Sequence, residues 1–185
     1  FERLKEFNLP VSEEKTAGRL AEVLPDCLLL ARNWQEFADR IIQKLGIVLE
    51  SDRREALAAF LGKRPVHKLF GDAGEATKLP QGKAILTLSP KFAIANISEL
   101  RHFEIFSPDV AGAAKPDPAA FLAVLEKMKA DPEETAMVGD SLENDILPAQ
   151  SLGIKPILLD RGGKIKNVAP PIVKIKSLKE LKKYL

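Results

Sequence analysis

The chain has 185 residues, of which 45% are apolar and 29% charged, and a net charge of +2. That length and balance suit one substantial core, or a core plus a small lobe, and exclude a disordered chain. No apolar run approaches the roughly 20 residues that cross a bilayer, and the opening Phe-Glu-Arg-Leu-Lys-Glu is too charged for a secretory signal, so a cytoplasmic protein with no membrane partner is expected.

In chain order, helical signals come first. Ser12 followed by Glu13 and Glu14 predicts a capped helix with acids at its positive end and Leu20 and Val23 on its apolar side. Cys27 is the only cysteine and sits in the apolar run Cys-Leu-Leu-Leu, which reads as a buried structural thiol. Asn33 with Glu36 starts a second helix, whose Trp34, Phe37, Ile41 and Leu45 recur at helical spacing before Gly46. Ser51 opens a third, carrying Leu57, Phe60 and Leu61 ahead of Gly62. Apolar stripes on consecutive helices predict a small bundle, with Trp34 and Phe37 in its core.

From Gln81 the pattern alternates between strand and helix. Ala84-Ile85-Leu86 is a short strand ending in Thr87-Leu88-Ser89-Pro90, and Phe92 to Leu100 reads as the helix crossing back. Phe103 to Phe106 is the next strand. Asp117 caps a helix with Pro118 at its first position, which turns Phe121, Leu122, Leu125 and Met128 inward. Residues 135 to 138 form a strand, Gly153 closes the helix after it, and strands follow at Pro156 to Leu159 and Ile172 to Ile175. A capping box at Ser177 and Glu180 starts a last helix. The fold class is α/β: a doubly wound, Rossmann-like parallel sheet with a small helical lobe, divided as residues 1–78 and 79–185.

Strand 135 to 138 leads straight into Gly139-Asp140-Ser141-Leu142-Glu143-Asn144-Asp145. Asp140 therefore stands where open parallel sheets bind ligands, at the carboxyl ends of their strands. The step to Asp145 allows both carboxylates, with Ser141 and Asn144, to gather around one hard cation, and oxygen donors favour magnesium over zinc. Pro148 requires the following helix to begin late, near Asn144 or Asp145, because a proline inside a helix costs about 3 kcal/mol. Two more groups share that sheet edge. Thr87 offers a hydroxyl, with Ser89 as a second candidate donor, and Lys115 offers a cation from an extended backbone ahead of Pro116. A phosphate complements the hydroxyl, the cation and the metal together.

Taken together, these segments resemble the haloacid dehalogenase-like hydrolase superfamily over nearly the whole chain. Leu86-Thr87 is similar to its second motif, Lys115 in Lys-Pro-Asp-Pro to its third, and the run from Gly139 to Asp145 to its fourth, the most specific of the three. The resemblance implies that the helical lobe is a cap over the site, that Thr87 binds a phosphoryl oxygen, that Lys115 stabilises nucleophile and transferring charge, and that Asp140, assisted by Asp145, holds Mg2+. Leu88 departs from the asparagine that many relatives carry there.

The family's first motif is a strand ending in Asp-x-Asp, nucleophile and general acid. No Asp-x-Asp follows an apolar strand in this sequence. Asp26 precedes its apolar run, and Asp72 follows a lone Leu-Phe with no second acid. By the resemblance the strand belongs between those ending at Thr87 and Val138. Removing it leaves neighbours about twice the usual 4.8 Å spacing apart with unpaired backbone groups, so the strand is expected in a segment before Phe1.

The expected function is a magnesium-dependent phosphatase acting on a small phosphorylated metabolite through an aspartyl phosphate. The alternatives are a 2-haloacid dehalogenase, disfavoured by the unneutralised acids at 140 and 145, and an inactive binding protein of the same fold. The lysines from 155 onward lack interleaved aromatics and read as a solvated face, not a nucleic-acid surface. His67 and His102 are isolated surface residues, and Asp160-Arg161-Gly162-Gly163 is a turn.

Overall fold

The computed structural model describes residues 19, 22–24, 26–27, 30–63, 69–94 and 97–185. The helix expected from Ser12, with Glu13, Glu14 and Leu20, lies outside the described residues, as does His67.

Helix α1 (Trp34–Leu45) begins where the sequence says it must: the Asn33 side chain accepts the Glu36 N–H at 2.8 Å, and Gly46 ends the helix in the left-handed region at φ 68°. Helix α2 (Ser51–Gly62) comes next, with Glu50 at the cap position. The two pack through Phe37, Ile41, Leu45, Leu57 and Leu61, joined by the buried Cys27, whose thiol burial pushes to a higher pKa. Trp34 is half-buried, stands edge-on to Phe37, and meets Phe92 edge-to-face at 4.9 Å between ring centroids.

A short helix α3 (Ala73–Thr77) leads into strand β1 (Ala84–Leu86), which pairs in parallel with β2 (Glu104–Phe106). Between them the single crossing helix expected over 92–100 is replaced by α4 (Lys91–Ile94) and a 3₁₀ turn (Ser98–His102). Ile97, just ahead of that turn, is extended at φ −85°, ψ 102°, and Ile and Ser are weak helix formers at this break. Helix α5 (Pro108–Ala111) lies after β2, and α6 (Pro118–Met128) is capped by the Asp117 carboxylate on the Ala119 N–H at 2.9 Å. Phe121 and Leu125 point inward as expected, but Leu122 is 49% exposed, because it falls outside the stripe that Phe121, Leu125 and Met128 make at steps of four and three.

Strand β3 (Ala136–Gly139), helix α7 (Leu147–Ser151), strand β4 (Lys155–Leu159) and strand β5 (Val173–Ile175) complete the chain, ahead of a 3₁₀ helix (Leu178–Lys183) headed by the Ser177–Glu180 capping box. β3, β4 and β5 form a second parallel ladder. Alternation along β3 shows that both faces of this sheet are covered. Met137 packs with Phe121 of α6 and Ala149 of α7, whereas Ala136 and Val138 pack with Leu79, Ile157 and Leu181 on the other side. Among the described residues β1 pairs only with β2, and β3 only with β4. Yet Leu86 of β1 and Met137 of β3 lie in one cluster under α6. The two ladders thus share a helical cover without pairing to each other among the described residues.

Candidate active site

The loops after β1 and β3 and the loop ahead of α6 carry every residue singled out from the sequence. Thr87 is the first residue past β1. Its N–H donates to the Phe106 carbonyl at 2.9 Å, and its Oγ1 accepts the Ser89 N–H at 3.0 Å, which leaves the hydroxyl proton to donate elsewhere. Ser89 is thereby held as part of the same turn, while Leu88 between them is 39% exposed.

Asp140 and Asp145 occupy opposite environments. Asp140 is exposed directly after β3, and Asp145 is 4% exposed with both oxygens engaged. Its Oδ1 accepts from Lys115 Nζ at 2.5 Å, and its Oδ2 accepts from the Ser141 N–H at 3.1 Å. The lysine side chain is itself only 12% exposed. Ionic groups tolerate such burial only when their geometry and remaining hydrogen bonds are good, and here one carboxylate joins the loop before α6 to the turn after β3. Ser141 Oγ accepts from both the backbone N–H and the side-chain amide of Asn144, at 3.1 and 3.0 Å. The Asn144 amide nitrogen is therefore engaged in holding this turn.

That turn is a π-helix (Leu142–Ile146), not the late-starting α-helix that the sequence predicts. Its bonds run five residues back, from the Ile146 N–H to the Ser141 carbonyl and from the Leu147 N–H to the Leu142 carbonyl, and only then does α7 begin, with Pro148 at its second position. The proline's missing donor thus falls at a helix start, as expected, although the helical path begins earlier. Gly139 makes the approach of Asp145 possible: a Cβ there would stand 2.4 Å from Asp145 Cβ.

The site brings together Lys115 with Asp145 and Thr87 with Ser89. Among the described residues, no hydrogen bond links the second pair to the first or to Asp140. No group of three or more His, Cys, Asp or Glu side chains gathers among the described residues. Magnesium is commonly held by one or two carboxylates with waters and substrate phosphates. Asp140 fits such a set as it stands, and Asp145 fits it only by loosening its hold on Lys115 or Ser141.

The sequence reading missed Asp72 and Arg161. Asp72, weighed only as a failed nucleophile, is 7% exposed and accepts from Arg161, Ser177 and the Leu178 N–H. Arg161 stands after β4 at the edge where Asp140 stands after β3. The Gly-Asp ahead of a helix and the Ser177 cap were visible signals of local structure, but nothing local reports their pairing.

A family model described as haloacid dehalogenase-like hydrolase matches residues 29–153. A phosphoserine phosphatase from Thermus thermophilus is 30% identical over 139 residues, covering 69% of this chain and 55% of that protein. The chain spans about half the length of the curated relatives it matches. Among solved structures, a 2-haloacid dehalogenase from Pseudomonas syringae superposes with a TM-score of 0.68 at 22% identity, covering 94% of this chain and 80% of that one. A HAD phosphatase from Thermococcus onnurineus gives a TM-score of 0.62 at 21% identity, with coverages of 92% and 77%. At those identities the structural likeness establishes the fold alone.

Proposed function

Because this chain belongs to the haloacid dehalogenase-like hydrolase family, we propose that it serves a magnesium-dependent phosphatase acting on a small phosphorylated metabolite. The observation that carries the reading is the combination of an exposed Asp140 directly after β3 with the largely buried Lys115–Asp145 ion pair, whose Asp145 lies in the turn that follows. Asp140 would hold the magnesium ion, assisted by Asp145, and the ion would supply charge neutralisation on the phosphate. Lys115 offsets negative charge on the nucleophile and on the transferring group, and Thr87, with Ser89, donates to a phosphoryl oxygen. The likeness to a phosphoserine phosphatase supports a phosphate monoester as substrate class.

In this reading an aspartate attacks phosphorus, the leaving alcohol takes a proton from the acid two residues on, and water then releases inorganic phosphate from the aspartyl phosphate. None of the 185 residues forms an Asp-x-Asp. The break in pairing between β1 and β3, under the cover of one helix, supports a strand carrying that motif in the gap. The helical bundle is read as a lid. The bonds of Asp72 to Arg161, Ser177 and Leu178 support reading the segment from Leu69 with the core, ahead of the division at residue 78.

The test is hydrolysis of a generic aryl phosphate by the full-length encoded protein, with and without magnesium, beside Asp140→Ala. Magnesium-dependent turnover abolished in the variant is the expected result. Turnover of 2-chloropropionate without metal would favour the dehalogenase instead, and inactivity toward both would favour a binding protein.

A further inference from the structure

Pro148 is the residue of this region with no assigned role, and it stands at the join between two helical geometries. In a regular α-helix through residues 142–151 its ring would meet the Asn144 carbonyl, four residues back, and no N–H would be available to that oxygen. The chain instead opens by one residue upstream. The Ser141 carbonyl accepts from both the Asp145 N–H at 3.0 Å and the Ile146 N–H at 3.2 Å, and α-helical geometry resumes at Leu147. Opening a helix by one residue rotates the segment before the opening by about 100° relative to the segment after it. Here that rotation matters, because Asp145 lies within the opened turn and must face Gly139, Ser141 and Lys115 at once, while Ile146 beside it is fully buried.

We infer that Pro148 is a positioning residue: by forbidding the α-helical register it holds the π turn, and the π turn aims the Asp145 carboxylate at Lys115. This rests on the proposed function only for its catalytic consequence; the structural relationship stands by itself. Without the proline, Ile146 and Leu147 are free to bond to Leu142 and Glu143 in the ordinary pattern, and Asp145 swings away from the ammonium group. A lysine released in this way would still carry its charge but would no longer be held where the phosphoryl group passes. Misplacement of about 1 Å can lower a rate about a hundredfold.

The experiment compares crystal structures of the full-length protein as wild type, Pro148→Ala and Asp145→Asn, with steady-state kinetics on an aryl phosphate. In Pro148→Ala we expect i to i−4 bonds through the turn and Asp145 Oδ1 beyond about 4 Å, the ion-pair limit, from Lys115 Nζ. In Asp145→Asn, which keeps the proline, the π turn should persist. Kinetically, Pro148→Ala should lower kcat about a hundredfold and leave KM little changed, a split that a merely stabilising proline would not produce. The inference is overturned if Pro148→Ala retains the π turn and the Lys115 contact, or if Asp145→Asn loses the π turn with Pro148 in place, since the ion pair would then be what holds it. Should Pro148→Ala not fold, Pro148→Ser, which also restores the backbone N–H, makes the same comparison. A wild-type enzyme without phosphatase activity would remove the functional reading and leave the crystallographic comparison to judge this one.

Discussion

Asp72 and Arg161, 89 residues apart in the chain, meet through a 2.7 Å ion pair, and the same Asp72 oxygen accepts from Ser177 Oγ at 2.7 Å and the Leu178 N–H at 2.8 Å. Arg161 also lies over the Phe70 ring, 4.2 Å from its centroid. One buried carboxylate therefore ties the segment entering α3 to the loop after β4 and to the cap of the final helix.

Asp72 should make the protein acid-sensitive. The hydrogen bonds from Arg161 and then Ser177 hold its carboxyl well below the ordinary range, outweighing burial, which acts the other way. A pKa depressed in the folded state gives stability that is complete above the unfolded value of about 3.9 and is lost as pH falls below it toward the folded value. Asp72→Asn keeps the shape and removes the charge. Because a quarter of the Arg161 side chain is exposed, we expect a cost of about 2 kcal/mol at neutral pH, short of that for a fully buried pair. Urea unfolding measured from neutral to acid pH should show a shallower acid loss in the variant. Parallel curves would remove Asp72 as the source.

Gly139→Ala should displace Asp145, since the new methyl would stand 2.4 Å from Asp145 Cβ and 2.5 Å from its Cγ. Neither atom belongs to the free end of a flexible chain, so the turn itself must shift, at about 1–3 kcal/mol. Turnover should fall with stability. Gly46→Ala is the contrasting case: a Cβ there meets nothing within 4 Å, and only the backbone at φ 68° opposes it. About 1 kcal/mol lost without change in kcat is expected, and equal effects of the two variants on kcat would contradict the close approach at Gly139.

Legibility tracked the range of the forces involved. Asn33, Gly46, Asp117 and Ser177 act on backbone a few residues away, and the elements they bound emerged where the sequence places them. The parallel alternation was readable for the same reason, from runs such as Ala84–Leu86 and Lys155–Leu159. Leu122 was misplaced because a stripe three to four residues wide has edges that composition does not mark. At the site, residue types at strand ends could be named, but not their partners. That Asp145 faces Lys115, 30 residues away, depends on a π turn, and π geometry has no propensity signature comparable to a cap. Asp72 was invisible for a related reason, since a pairing between distant segments leaves no local trace.

Trp34 and Phe92 should be energetically coupled. Their rings meet edge-to-face, 4.9 Å between centroids and 87° between planes, and they join α1 of the bundle to α4, which starts just past Ser89 and Pro90. Aromatic pairs of this geometry contribute about 0.5–1.5 kcal/mol beyond burial. A double-mutant cycle through Trp34→Leu and Phe92→Leu should return a coupling in that range, read from chemical unfolding. Additive losses would mean that the rings touch without supporting each other.

Lys115 and Asp145 should be coupled far more strongly, and in a way that separates stability from activity. Lys115→Met removes the charge but keeps much of the stem, leaving Asp145, 4% exposed, with only the Ser141 N–H on its second oxygen. A buried charge stranded in this way costs about 3–5 kcal/mol. Asp145→Leu strands the lysine instead, whose 12% exposed side chain has more access to water, so its cost should be smaller. Replacing both removes the unpaired charge altogether, and the double variant should be more stable than Lys115→Met alone, a non-additive result measurable by urea unfolding. Turnover should not share that recovery, because no cation returns to the site. A double variant less stable than either single one would show that the two residues are not a buried pair in solution.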